Sequence, residues 1–241
     1  MNESKFGHVL ILAIGIALAG WFTGVGFQKR SADRYVSVKG VAERNVSADL
    51  ALWPITLNAA SNDLGTAQSQ VSGYVEKVNA FLEGSGIDLS QVSLQTLRVT
   101  DAMANPYRQG EPSARFVIQQ TLMVRSEDPG RIFAASQKVG ELVNAGVAFS
   151  SGEQYGPGGP TFLFTKLNDV KPEMIAEATS EARKAAEQFA RDSGSSLGKI
   201  RRANQGVFQI LPRDPAPGQQ QANQLHKTVR VVTTVQYLLQ D

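Results

Sequence analysis

From Val9 to Phe27 the chain runs for 19 residues without a charged side chain, and that run constrains the N-terminus more than any other feature constrains the rest. As a helix rising about 1.5 Å per residue it reaches roughly 28 Å, close to the hydrocarbon thickness of a bilayer. A cleavable secretory signal has a shorter apolar core, of about 7–15 residues, and polar sequence after the cut. Ala17-Leu18-Ala19 offers the small residues of a cut site, yet Gly20 to Phe27 stays apolar before Lys29-Arg30 ends the run. The expectation is therefore one uncleaved N-terminal transmembrane helix, with residues 1–30 as tail and anchor and the lipid bilayer as partner. A cut after Ala19 is the alternative. Gly20 and Gly24 are four apart and share a helix face, where small residues let a second helix approach closely. They are the candidate helix-packing residues in the membrane, set against the plainer reading that Gly and Ala simply populate such spans.

Flanking charge gives a conflicting vote on sidedness. Lys5 precedes the run, whereas Lys29, Arg30 and Arg34 follow it, and the positive-inside tendency then puts the following domain in the cytoplasm. Lys5, Lys29, Arg30 and Glu3 all precede Ser31, so 21 of the 24 basic and 21 of the 22 acidic residues follow it and the remainder is neutral. Its densest basic run, Lys199-Ile200-Arg201-Arg202, reads as a solvated strand or turn, and no nucleic-acid partner is expected. The absence of cysteine excludes disulfides, thiol nucleophiles and thiolate metal sites. Of the two histidines, only His226 lies in the folded part, so no histidine pair there can chelate a metal. Neither a cofactor nor a metal is expected.

Beyond a short linker, residues 34–241 read as one α+β domain. Tyr35 to Arg44 alternates as a strand, Asn45 marks a turn, and alternation resumes from Val46 before changing phase at Trp53, beside Pro54, as a bulge or an edge position would make it. Apolar residues 67, 71, 74, 75, 78 and 82 lie on one face of a helix over Leu64 to Leu82, capped by Asn62 or Asp63. Strands follow over Val92 to Met103 and Arg115 to Arg125, then a helix from Pro129 to Asn144, then strands over Val147 to Ser151 and Thr161 to Leu167. A third helix spans Pro172 to Ser193, with a stripe of Ala178, Ala182, Ala185, Ala186 and Ala190 that lets it sit close on a sheet. Leu197 to Leu211 and Lys227 to Leu239 complete the strands, and residues 212–224 between them are expected to form a mobile tip. The repeated ββα order predicts mainly antiparallel sheet with three helices packed on it, preceded by the transmembrane helix. The β-α-β-β-α-β stretch within residues 46–151 fits a ferredoxin-like half.

Catalytic chemistry finds little to work with. A Ser-His-Asp relay needs a positioned histidine, and His226 lies beside a Gln-rich loop. Glu43 and Asp49 flank the turn of the first strand pair, read as a hairpin, and could face one another, although a solvated turn explains them as well. The "GPGGP" loop lacks the Gly-Lys-Ser/Thr ending of a phosphate cradle. Tyr107, Tyr155 and Phe208 could line a groove or simply pack.

Two stretches carry a family resemblance. "YVSVKGVAERNVSADLALWPITLNAAS", residues 35–61, resembles the opening strand pair of the SIMPL-domain family, bacterial periplasmic or membrane-associated proteins of poorly defined function. "AEATSEARKAAEQFARDSGSSLGKI", residues 176–200, resembles that family's Ala-rich helix and the Gly-x-x-Leu-Gly-Lys turn after it. The resemblance implies an α+β fold, a periplasmic location and a tendency to self-assemble, in some members into ring-like or channel-like oligomers. It implies general roles in envelope maintenance and stress tolerance, and it carries no catalytic residues. On sidedness the family outweighs a difference of a few charges. The reading is a non-enzymatic, single-pass inner-membrane protein with a periplasmic, homo-oligomeric domain; the alternative is a module that senses a ligand or partner.

Overall fold

A computed structural model describes residues 14–21, 34–104, 113–149, 159–218 and 220–240. The described residues form five helices and eight strands. In chain order these are α1 (14–21), β1 (Tyr35–Ser47), β2 (Leu50–Ser61), α2 (Leu64–Gly84), β3 (Val92–Asp101), β4 (Phe116–Ser126), α3 (Pro129–Ser136), α4 (Gly140–Asn144), β5 (Thr161–Leu163), α5 (Leu167–Asp192), β6 (Ser196–Gln205), β7 (Gln209–Pro212) and β8 (His226–Gln240). Contacts divide them into two compact units, one from Met1–Ala42, Glu173–Phe208 and Val231–Asp241, the other from Glu43–Pro172 and Gln209–Arg230.

The larger unit is built on a four-stranded sheet in the order β3-β4-β2-β5, with every neighbouring pair antiparallel. Central strands β2 and β4 flanked by β3 and β5 give a ferredoxin-like order, but its fourth strand is Thr161–Leu163, beyond the expected 46–151 stretch. Strict alternation writes β2: Ala51, Trp53, Ile55, Leu57 and Ala59 are buried in turn, and pairing with β4 runs unbroken from Ala51 to Ser61. No bulge marks Pro54. It stands opposite Met123 on a central strand, which has β4 along one side and β5 beside Leu50–Leu52 on the other. Asp63 caps α2 by accepting from the Thr66 amide at 2.7 Å, and Ala67, Val71, Val78 and Leu82 line its buried face. Val78 and Leu82 join Trp53, Ile55, Leu122, Ile132, Leu142 and Phe162 in one core.

In the other unit, α5 lies on strands of the sheet ordered β1-β8-β6; β7 pairs with the start of β8, Lys227–Arg230, within the larger unit. Ala182 and Ala186 pack on Val38, Val235 and Tyr237. Ala178, Ala182, Ala186 and Ala190 are all buried, so the small-residue stripe does what its spacing predicts. Gly40 on β1 shows how close the approach is. A Cβ there would collide with the Ala178 carbonyl oxygen and stand 2.5 Å from the Ala182 nitrogen.

Several expectations are corrected. Five described helices replace the three expected with one anchor: the helix drawn from Pro129 to Asn144 is two, α3 and α4, with Gly140, a poor helix former, opening the second. Strands β1 and β2 belong to different sheets, so the first strand pair is not a hairpin, and the repeated ββα order does not hold. Val147 to Ser151 contributes a single bridge, Leu57 to Phe149, among its described residues, and β5 is only three residues long. Helix α5 begins at Leu167 and takes Pro172 inside it. The expected strand over Leu197 to Leu211 splits into β6 and β7 around Gly206, whose amide donates to the Val232 carbonyl at 2.8 Å.

The largest correction concerns the N-terminus. Among the described residues no helix is long and apolar enough to cross a membrane. The described residues there, 14–21, are helical. They include Gly15 and Gly20, each of which weakens a helix by about 1 kcal/mol relative to Ala. This overturns the expected transmembrane helix and the single-pass, inner-membrane, periplasmic placement built on it. The remainder of the expected span, residues 9–13 and 22–27, lies outside the described residues.

Candidate functional site

The residues singled out for chemistry do not converge. His226 opens β8, and its Nδ1 lies 3.1 Å from the Ser47 hydroxyl, an exposed pair brought together across 179 positions. Asp49 does not complete a relay, because its carboxylate accepts from the Thr165 amide at 2.9 Å and the Lys166 amide at 3.1 Å. Glu43 pairs with Arg230 at 3.2 Å, so Glu43 and Asp49 do not form the facing pair the sequence allowed. Among the described residues no cluster of three His, Asp or Glu side chains could hold a metal ion. Gly20 sits on α1, where an added Cβ would meet no heavy atom within 4 Å; Gly24, Tyr107, Tyr155 and most of "GPGGP" lie outside the described residues. Phe208 is half-buried between β6 and β7.

Beside His226 an open groove of about 410 Å³ is lined by Phe133, Leu225, Arg213, Asp214 and Asn223 among others. Its rim is the loop expected to be a mobile tip, and it is pinned. The Gln224 side-chain amide donates to the Asp214 carbonyl at 2.9 Å, and Arg213 pairs with Asp214 at 2.8 Å. Lys227, with no exposed surface, donates from Nζ to the Gln221 carbonyl at 2.5 Å. Burial pushes the Lys227 ammonium below the ordinary lysine value. Composition alone hid this, because one buried cation supplies an anchor that the polar loop lacks.

A second surface is built from backbone and apolar side chains. Among the described residues strand β3 ends its sheet, pairing with β4 on one side only. Leu94, Leu97 and Val99 stand opposite Leu122, Gln120 and Ile118, all three of which are buried on the core side of β4. The apolar face of the sheet therefore continues onto β3, but α2 does not cover it there: Leu94, Leu97 and Val99 are 63%, 53% and 48% exposed. Fully covering such a side chain is worth about 1.5–3 kcal/mol relative to leaving it in water. A bulge between Leu94 and Leu97 keeps the three on one face, and the Gln120 side-chain amide secures it by donating to the Thr96 carbonyl at 3.2 Å. Between α2 and β3 the shelf deepens into a notch of about 110 Å³ lined by Val75, Asn79, Leu89, Val92, Leu94 and Leu122. Asn79 Oδ1 is shut off from water with no hydrogen-bond partner among the described residues.

The sequence reading missed this shelf. Its signal was present: Leu94 and Leu97 are three apart in an otherwise alternating strand, the mark of an inserted residue.

The model of a family described as "SIMPL: Protein of unknown function (DUF541)" matches residues 36–237. The chain belongs to the SIMPL family. No curated protein matches it. The match reaches from β1 into β8 and so touches every described strand, and the geometry gives its signatures a physical sense. In the Gly-x-x-Leu-Gly-Lys turn of this SIMPL domain, Gly194 takes a left-handed φ of 68°, while the Ser195 amide donates to the Ala190 carbonyl at 2.9 Å and closes α5. A Cβ on Gly198 would stand 2.9 Å from the Leu238 carbonyl oxygen, so glycine lets β6 lie close against β8.

Proposed function

We propose that this SIMPL-family chain is a non-enzymatic assembly protein that builds a homo-oligomer from its folded domain. The observation that supports it is that each of its sheets ends on an edge strand exposed along nearly its whole length, β3 in one and β6 in the other. An edge strand offers a row of backbone donors and acceptors to another chain, and proteins that stay monomeric cover or blunt such rows. The self-assembly implied by the family resemblance points the same way. General roles in envelope maintenance or stress tolerance belong to this reading as well. Light scattering on the full chain, resolved by size in a mild detergent that masks residues 9–27, tests it. A mass of two or more chains that falls on dilution is expected, and a monomer at every concentration overturns it.

The groove beside His226 favours a second reading, a small ligand held between Phe133 and the pinned loop. In that case His226→Ala and Phe133→Ala abolish a ligand-induced rise in melting temperature while leaving the mass unchanged.

A further inference from the structure

The two edges are not equivalent. Strand β6 carries Lys199, Arg201 and Arg202 with Gly198, and its pairing with β8 is interrupted by two irregularities, features that discourage strand addition. Strand β3 carries no lysine, proline or glycine, and between Val92 and Thr100 its only charge is Arg98. We propose that β3 is the seat of a second copy of this chain, added antiparallel about a two-fold axis through Leu97. This rests on the self-assembly reading above and specifies its surface and register.

The register follows from the pairing of β3 with β4. Leu94, Leu97 and Val99 stand opposite residues 122, 120 and 118, which are evenly spaced. Leu94 and Val99 are therefore equidistant from Leu97 along the ladder, although unequally spaced in sequence. A two-fold axis at Leu97 sets Leu97 against its own copy and Leu94 against the copy's Val99, on both sides of the axis, so all six apolar side chains line one face. On the other face, Arg98 meets the polar bulge residues Gln95 and Thr96, and Thr100 meets Ser93. Moving the axis to Arg98 would set two guanidinium groups directly opposite each other, and moving it to Val99 would set Leu97 against Asp101; both registers are worse. In the Leu97-centred register the bulge brings the three apolar residues into self-complementary positions, and the face ends on Val92 against the copy's Asp101.

The chain contains no cysteine, so a single introduced thiol reports contact without background. Full-length Leu97→Cys is expected to form a cross-linked dimer under mild oxidation, and Ile200→Cys on β6 is not. Leu97→Lys, at a half-exposed position outside the core, places two ammonium groups face to face and raises the concentration for half-assembly by about tenfold or more, with an unchanged circular dichroism spectrum. If the wild-type chain assembles but Leu97→Cys does not cross-link and Leu97→Lys assembles normally, the β3 seat is wrong and self-assembly stands. A monomeric wild type overturns both.

Discussion

Two glycines show how differently one residue type is used. Gly40 faces the backbone of α5, and Gly40→Ala drives a methyl group into the Ala178 carbonyl oxygen. The backbone cannot give as a flexible side chain can, so a loss of about 3 kcal/mol is expected in urea denaturation. Gly73, inside α2, has no heavy atom within 4 Å of where its Cβ would stand. Gly73→Ala there raises stability by about 0.5–1 kcal/mol, because only chain entropy changes. Lys227 makes a prediction with a sign. Its value in the folded chain lies below the ordinary 10.5. Between the two values the unfolded chain holds a proton that the folded chain does not, so stability rises with pH across that window. At lower pH both states are protonated and the burial penalty is complete. Urea midpoints measured up to the ordinary lysine value should climb for the wild type relative to Lys227→Met; parallel profiles would show that the ammonium is hydrated.

At the scale of elements, the bulge in β3 depends on Gln120. This side chain is 7% exposed and donates to the Thr96 and Thr121 carbonyls, each at 3.2 Å. Gln120→Leu keeps the volume but leaves the Thr96 carbonyl without that donor, at an expected cost of about 1–3 kcal/mol in denaturation. It should also relax the alignment of Leu94 with Leu97 and weaken assembly. Much at this scale was legible beforehand. The alternation of β8, the one-sided face of α2 and the alanine stripe of α5 are periodic signals long enough to survive context. What failed was pairing. Adjacent strands β1 and β2 read as a hairpin, yet they enter different sheets, and nothing in their alternation says which neighbour each will take. The break between α3 and α4 escaped for a related reason: apolar spacing runs through it, and only the weak helix former Gly140 hinted at an interruption. The candidate shelf was missed because exposure of an edge strand depends on how far α2 reaches across the sheet.

For the whole molecule, the resemblance in residues 35–61 and 176–200 anticipated the family correctly. The apolar run at the N-terminus suggested a membrane span, whereas among the described residues no helix is long and apolar enough to cross one. What the folded domain offers instead is surface: a basic, interrupted edge at β6 and an apolar, unguarded edge at β3. Function then rests on whether copies meet through the second. The most direct test is the mass of the full-length chain across a dilution series, measured by light scattering in mild detergent. Assembly that declines on dilution, and that shifts to higher concentration in Leu97→Lys, is the predicted result. A single chain mass at every concentration, for wild type and variant alike, would contradict it.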